Sequence, residues 1–187
     1  SALESIKYNL NRQQNCLKLF EFGKTYHLNV DERKEYKHLY IVLTGPKSSP
    51  HWRGEKENVD FFYTKGIVNA LIEKIGISKV KSTAINTALF DEGQCIKIGK
   101  TILVQFGLLN KNTVAEFGIE QDVYGIDFNW EAIVGAIKIK NLKFKPISKF
   151  PEVKRDFALL IDDEVTFESI YKIAKQTDQK ILKDIRL

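Results

Sequence analysis

Three adjacent residues, Gly99-Lys100-Thr101, resemble the end of a phosphate-binding loop. Such a loop needs a glycine, four further residues and then Gly-Lys-Ser/Thr, placed between a strand and a helix whose N-terminal N–H groups hold the phosphate. Here five residues separate Gly93 from Gly99, and a strand-like sequence follows Thr101 instead of a helical one. The spacing argues against a phosphate loop. An autonomous enzyme that acts on a phosphorylated ligand through this turn is kept as the alternative hypothesis.

The histidines and cysteines do not have the spacing of metal ligands. His27, His38 and His51 share no ligand-like interval, and Cys16 and Cys95 are far apart in the sequence. Metal sites usually take pairs of ligands a few residues apart. We therefore expect no metal site and no nucleophilic Cys–His pair. In a chain without an export signal, reduced thiols are the expected state of both cysteines.

Three basic residues, Lys149, Lys154 and Arg155, flank a proline-stiffened stretch that leads into an apolar run. Cationic side chains at such a place are suited to neutralising RNA phosphates. The formal net charge of +5 permits contact with RNA but does not require it. In the loop His51-Trp52-Arg53, a tryptophan beside a cation could stack on a base. The interpretation we favour there is an aromatic ring folded over the core.

Hydrophobic periodicity places these residues on an α+β fold. Helical spacing or capping predicts helices over about residues 1–10, 60–76, 112–117, 129–137 and 166–175. Alternation or apolar runs predict strands over 17–22, with an extension over 24–30, and over 39–43, 80–85, 94–98, 101–108 and 123–128. A charged turn is expected at 31–34, a tight connection at Gly99-Lys100, a solvated turn at 162–164, and a close packing contact at Gly66. Because strands follow one another in runs, the sheet should be mainly antiparallel with flanking helices.

Length and composition allow two modest domains in a chain that stays in the cytoplasm. The 187 residues are 43% hydrophobic, which is enough to bury a core. The sequence has no apolar run of the roughly 20 residues that span a bilayer, and no signal-peptide pattern. Methionine is absent, so we expect the sequence to be a piece of a longer protein. A cytoplasmic location without membrane contact is therefore expected.

Motifs in order along most of the chain resemble the bacterial phenylalanyl-tRNA synthetase β-subunit family. The motifs are Leu19-Phe20-Glu21-Phe22-Gly23, Leu43-Thr44-Gly45, Val59-Asp60-Phe61-Phe62 with Lys65-Gly66, Leu89 with Gly93-Gln94, and Ser148-Lys149-Phe150-Pro151 followed by Arg155-Asp156 and an apolar strand. Each motif is short, but their order over about 150 residues is specific. The sequence departs from the family pattern at Phe90-Asp91-Glu92, where a His-Pro pair is usual.

The resemblance implies a class II synthetase catalytic-like core at residues 1–140 and a linker at 141–149. Residues 150–187 would be the N-terminal part of a truncated ferredoxin-fold anticodon-binding domain. In class II active sites, an arginine on the second motif and another after the third-motif strand grip the triphosphate of ATP. Phe20-Glu21-Phe22-Gly23 carries no arginine, and none follows Val123–Phe128 in the next helix. The resemblance therefore implies a core without catalytic residues, in an enzyme whose holoenzyme uses ATP and Mg²⁺.

As partners, the resemblance implies the catalytic α subunit, in a tetramer of two α and two β chains, and tRNA(Phe). Lys149, Lys154 and Arg155 are the expected tRNA-binding residues, and no cofactor is expected on this chain itself. The last segment, at 150–187, would form a strand, a helix and the start of a second strand. A free-standing protein-interaction module is a third hypothesis.

Overall fold

The computed structural model describes residues 2–29, 32–48, 57–78, 80–137, 149–178 and 181–186. The chain divides into two compact units, residues 1–141 and residues 142–187. The loop His51-Trp52-Arg53 and residues 141–148 of the predicted linker lie outside the described residues. Within the described ranges, no helix has both the length and the hydrophobicity needed to cross a bilayer.

An antiparallel sheet of six strands forms the first unit. Its strands are β1 (Leu17–Asn29), β2 (Glu32–Thr44), β3 (Lys81–Thr87), β4 (Phe90–Ile98), β5 (Thr101–Leu109) and β6 (Val123–Asn129). They lie in the order β1-β2-β6-β5-β4-β3, and every neighbouring pair is antiparallel. The predicted α+β class with an antiparallel sheet is confirmed. Gly99 and Lys100 form the predicted two-residue turn between β4 and β5, with Gly99 at a φ of 58°.

The helices begin and end where the sequence supplies caps. They are α1 (Ala2–Leu10), α2 (Phe61–Ile75), α3 (Lys111–Glu116), α4 (Trp130–Ala136) and α5 (Phe167–Thr177). The Asp60 carboxylate accepts a hydrogen bond from the Tyr63 backbone N–H at 2.6 Å, and Gly76, at a φ of 81°, ends the same helix. Asn129 and Thr166 cap α4 and α5 in the same way, as the sequence predicts.

Two hydrophobic clusters cover the opposite faces of the sheet. On the first face, α2 and α4 pack against the strands through Val68, Ile72 and Ile133, each at most 4% exposed. On the second face, Ile6 of α1 and Val114 of α3 join residues of β1, β2 and β6. The apolar run that the sequence shows around residues 39–43 is therefore covered from both sides, because Leu43 belongs to the first cluster and Val42 to the second.

β2 begins earlier in the chain than the sequence predicts, whereas β1 reaches Asn29, in line with the expected extension over 24–30. β2 begins at Glu32 rather than near residue 39, so the charged turn predicted at 31–34 is wrong over 32–34, and residue 31 lies outside the described residues. Its first residues pair only with β1, because the pairing with β6 starts at His38. Lys24 and Glu35 form an ion pair across this arm at 2.7 Å. A strand that is exposed on both sides has no apolar alternation, which is why its pattern resembles a turn.

Two glycines allow a close approach between backbone segments, and a third does not. A Cβ at Gly45 would lie 1.7 Å from the Asn15 carbonyl oxygen, and a Cβ at Gly107 would lie 2.0 Å from that of Glu92. These glycines allow two backbone segments to touch. A Cβ at Gly66 would meet no atom within 4 Å, so the close packing contact predicted there is wrong. Nothing in the described structure explains that glycine.

The second unit contains α5 but not the predicted strands. Residues 149–165 and 181–186 form no strand, although the sequence predicts strands near 157–161 and from 181 onward. A strand is stabilised by its neighbour in a sheet, and these two segments do not pair with each other. Along the predicted apolar stripe of α5, Phe167, Ile170 and Ala174 are half-buried, and Ile173 beside the stripe is 66% exposed. The predicted solvated turn before α5 is confirmed.

Candidate functional site

A polar row crosses the second face of the sheet from one edge to the other. Successive cross-strand partners are Glu21, Tyr40, Asp127, Gln105, Cys95 and Thr83, which represent all six strands. Residues directly opposite each other in neighbouring strands have side chains on the same face, about 5 Å apart. The adjacent row is instead apolar or glycine, with Gly125, Gly107 and Gly93 side by side. The adjacent row on the other side contains His38 and Asn129, so polar groups also extend to that side.

His38 connects three strands beside this row. Its Nδ1 lies 2.8 Å from Asp127 Oδ1, and its Nε2 lies 3.0 Å from Thr25 Oγ1. The hydroxyl–imidazole–carboxylate order is that of a nucleophile relay, in which a base takes the hydroxyl proton. Here the three side chains stand on adjacent strands of a flat sheet face. We interpret these hydrogen bonds as structural, because they link β1, β2 and β6.

The row carries negative charge and no lysine or arginine. Glu21 and Asp127 flank Tyr40, and Gln105, Cys95 and Thr83 are uncharged. Transfer of an adenylyl group needs cationic groups that stabilise the leaving pyrophosphate. Two carboxylates in this position would repel a triphosphate. The row therefore does not have the chemistry of an ATP site.

Burial raises the pKa of Tyr40 to about 12, and the nearby charge of Asp127 contributes to the increase. The unfolded chain loses this phenol proton near pH 10, whereas the folded chain keeps it until about pH 12. The stabilisation from Tyr40 is therefore fully present below pH 10 and is lost as the pH rises toward 12.

Between pH 9 and pH 12, ionisation of Tyr40 should lower the free energy of unfolding by about 2 kcal/mol. Replacing Tyr40 with phenylalanine should abolish this part of the decrease. Urea unfolding at pH 9, 10, 11 and 12 measures this slope. Tyr26→Phe is the matched control, since Tyr26 is 74% exposed. Equal alkaline slopes in the unchanged chain and in Tyr40→Phe would contradict the assignment.

A second candidate surface is the apolar face of β1. Phe20, Phe22, Tyr26 and Leu28 alternate along the strand and are 71%, 58%, 74% and 79% exposed. Phe22 also makes an edge contact with Trp130 of α4, with ring centroids 4.9 Å apart. β1 lies at the edge of the sheet, so its outer backbone groups lack a strand partner among the described residues.

The predicted tRNA-binding residues lie in the second unit. Lys149, Lys154 and Arg155 are all exposed, in a segment without regular structure before α5. They remain predictions as RNA contacts. Glu152, between Lys149 and Lys154, forms an ion pair with Lys183 at 2.7 Å. That bond lowers the pKa of the Glu152 carboxyl.

The other motifs have structural positions that do not suit catalysis. Lys100 lies in a turn between two strands and not at the start of a helix, so the geometry of a phosphate loop is absent at this position. In the described part of the chain, no three His, Cys, Asp or Glu residues are grouped so that they could hold a metal ion. Cys95 is fully buried, with its Sγ 3.2 Å from Thr83 Oγ1.

The Phe90-Asp91-Glu92 departure also has a structural role. Phe90 fills the second cluster at 3% exposure. Asp91 accepts hydrogen bonds from the Asn110 side chain at 2.7 Å and from the Lys111 backbone N–H at 2.9 Å. It thereby holds the N-terminus of α3.

Sequence reasoning missed the polar row because its members are scattered from Glu21 to Asp127. The one available signal is alternation within β6, where Asp127 interrupts an apolar strand. Strand order and register are needed to bring the six residues together.

Comparisons with known proteins agree with the motifs. The family described as phenylalanyl tRNA synthetase beta chain CLM domain matches residues 1–130, and the ferredoxin-fold anticodon binding domain matches residues 148–187. The phenylalanine–tRNA ligase beta subunit of Bacteroides fragilis is 35% identical over 202 residues, which cover 100% of this chain and 24% of that protein. The same subunit of Fusobacterium nucleatum is 33% identical, over 94% of this chain and 23% of that protein.

A solved structure shares the fold. The pyrrolysyl tRNA synthetase of Desulfitobacterium hafniense aligns with a TM-score of 0.53 at 14% identity, and the alignment covers 71% of this chain and 46% of the other. At this identity the similarity concerns the fold alone. The chain spans about a quarter of the length of the curated relatives that it matches. Since a family match covers residues 1–130 and a second covers 148–187, the chain belongs to the phenylalanyl-tRNA synthetase β-chain family.

Proposed function

We propose that the chain is a non-catalytic part of a phenylalanine–tRNA ligase β subunit, which supports aminoacylation of tRNA(Phe) by packing on the catalytic α subunit and by contacting tRNA. The ligase would use ATP and Mg²⁺ on the α subunit, in a tetramer of two α and two β chains. Residues 1–140 would be a class II synthetase core without catalytic groups. The antiparallel sheet and the similarity in fold to a tRNA synthetase support this proposal.

The chemistry of the sheet supports the non-catalytic role. The proposed core presents Glu21, Tyr40 and Asp127 where an ATP-binding sheet would need cations. Among the described residues of β1, β6 and α4, none is an arginine. A protein that keeps the scaffold without these groups retains surfaces that other chains can bind.

The observation that carries the α-subunit proposal is the exposed apolar face of β1. Phe20, Phe22, Tyr26 and Leu28 form a stripe on one side of a 13-residue edge strand, and Lys24, paired with Glu35, lies between Phe22 and Tyr26 on the same side. Aromatic side chains of this kind form the centre of protein interfaces, where their burial provides most of the binding energy. A stripe left in water would favour aggregation of the free chain. A partner chain that covers the stripe would account for its apolar side chains and would keep them out of water.

Replacing Phe20 and Tyr26 with serine in the complete β subunit should reduce co-purification of the α subunit at least tenfold. Each substitution removes an aromatic anchor and leaves the two core clusters intact. Affinity purification after co-expression of both subunits measures the effect. Ile173→Ser is the control, because Ile173 is equally exposed but lies in the second unit. Full retention of α by the double variant would contradict this interface.

For tRNA, replacing Lys154 and Arg155 with alanine in the complete enzyme should weaken binding three- to tenfold. The slope of log affinity against log salt should fall by about 1 for each phosphate contact that is lost. Filter binding of tRNA(Phe) at several salt concentrations measures both effects. The control is Lys172→Ala, since Lys172 is an exposed lysine on α5 paired with Glu168 at 3.2 Å. Unchanged affinity and slope in the double variant would contradict the RNA contact.

A further inference from the structure

A groove lies between α1 and the second face of the sheet, where β1 and β2 pass under the helix. Its volume is about 320 Å³, at the lower end of the range for small-molecule sites. The lining consists of Ala2, Ser5 and Asn9 from the helix and of Leu19, Phe20, Glu21, Tyr40 and Val42 from the strands. The groove therefore has an apolar floor and a polar side.

The polar side carries oxygen acceptors, and the hydroxyls of Tyr40 and Ser5 can also donate. Glu21 and Tyr40 are direct cross-strand partners, so their side chains share this face. Asn9 donates its Nδ2 to the Ser5 carbonyl oxygen at 2.8 Å, which leaves its amide oxygen as an acceptor. Within the described ranges, no hydrogen bond or ion pair engages the Glu21 carboxylate. A carboxylate, a phenol oxygen and an amide oxygen thus line one groove.

The charge of the groove determines whether a cation or an anion can bind there. Among the described residues that line it, Glu21 alone carries a charge. An ammonium group has three N–H donors, and a charge-assisted hydrogen bond to a carboxylate is among the stronger ones. A ligand that also carried a carboxylate would meet Glu21 without a compensating cation. The groove therefore favours a monocation over an anion or a zwitterion.

The apolar floor of the groove favours a ligand whose remaining part is apolar. Leu19 is half-buried and offers apolar surface at the base of the groove, whereas Val42 beside it is already covered by the protein, being 2% exposed. Covering such surface with a compact apolar group removes it from water, which favours binding.

We propose that this groove binds a small primary amine, with its ammonium group held by Glu21, Tyr40 and Asn9 and its apolar body on Leu19. The site adjoins the β1 face proposed for the α subunit, because Phe20 also lines the groove, whereas Glu21 points to the opposite side of the strand. The inference does not depend on the proposed function.

The test compares three ligands that share one body and differ in charge: benzylamine, benzyl alcohol and benzoate. NMR titration of the 187-residue chain at pH 7 should show saturable shifts for benzylamine, with a Kd on the order of 1 mM for so few heavy atoms. Benzyl alcohol should bind at least tenfold more weakly, and benzoate should not bind. The shifted amides should include those of Asn9 and Tyr40.

Variants identify the site. Glu21→Gln should weaken benzylamine binding at least tenfold, because it removes the charge and keeps the shape. Glu131→Gln is the control, since Glu131 is an exposed acid on α4 at the opposite face. Equal binding of the three ligands, absence of benzylamine binding, or equal affinity in Glu21→Gln and Glu131→Gln would each overturn the proposal.

Discussion

Replacing Gly45 with alanine should lower the free energy of unfolding by about 4 kcal/mol, which is the largest effect we expect from a single methyl group in this chain. Two causes act together. Gly45 has a φ of 78°, where an L side chain is strained. The new Cβ would also lie 1.7 Å from the Asn15 carbonyl oxygen and 2.8 Å from its carbon, so backbone has to move. Urea unfolding followed by far-UV circular dichroism measures the loss.

Gly76→Ala separates the two causes. Gly76 has a φ of 81°, but a Cβ there meets no atom within 4 Å. It should lose only about 1 kcal/mol, from strain at the end of α2. Equal losses at Gly45 and Gly76 would show that the contact with Asn15 has no energetic weight.

Replacing Gly107 with alanine should lower the free energy of unfolding by about 3 kcal/mol for a different reason. Gly107 lies within β5, and a Cβ there would lie 2.0 Å from the Glu92 carbonyl oxygen and 2.7 Å from Gly93 Cα. Both atoms belong to the backbone of β4, so no side-chain rotation relieves the contact. The two strands have to separate, and nearby ladder hydrogen bonds weaken. Thermal and urea unfolding of the variant measure the loss.

Gly23→Ala is the matched strand control. Gly23 lies in β1, and a Cβ there would meet no atom within 4 Å, so alanine should be neutral or slightly stabilising at this position. A Gly107→Ala variant as stable as Gly23→Ala would contradict the close approach of β4 and β5.

Much of the fold could be predicted because local signals agree with the final structure. The helix from Phe61 to Ile75 has its cap at Asp60, its apolar stripe and its terminating Gly76 within a short stretch of sequence. The antiparallel sheet follows from strands that succeed one another with short connections. These signals are local, so a single sequence carries them.

The failures have a common physical origin, since they depend on contacts that the sequence does not display. The start of β2 at Glu32 depends on pairing with β1, and the pattern of charges there resembles a turn. The strands expected near 157–161 need a neighbour to pair with. The polar row requires the order of all six strands before Glu21 and Thr83 can be placed in one line.

The central position of β6 has a consequence for the order in which the sheet can assemble. The β1–β2 hairpin and the β3–β4–β5 meander each join strands that are close in sequence, whereas β6 is the strand that connects the two groups. During synthesis on the ribosome, both groups emerge before β6 and expose unpaired edges until it arrives. Folding of this unit should therefore be completed late and cooperatively, with docking of the last strand as the slow event.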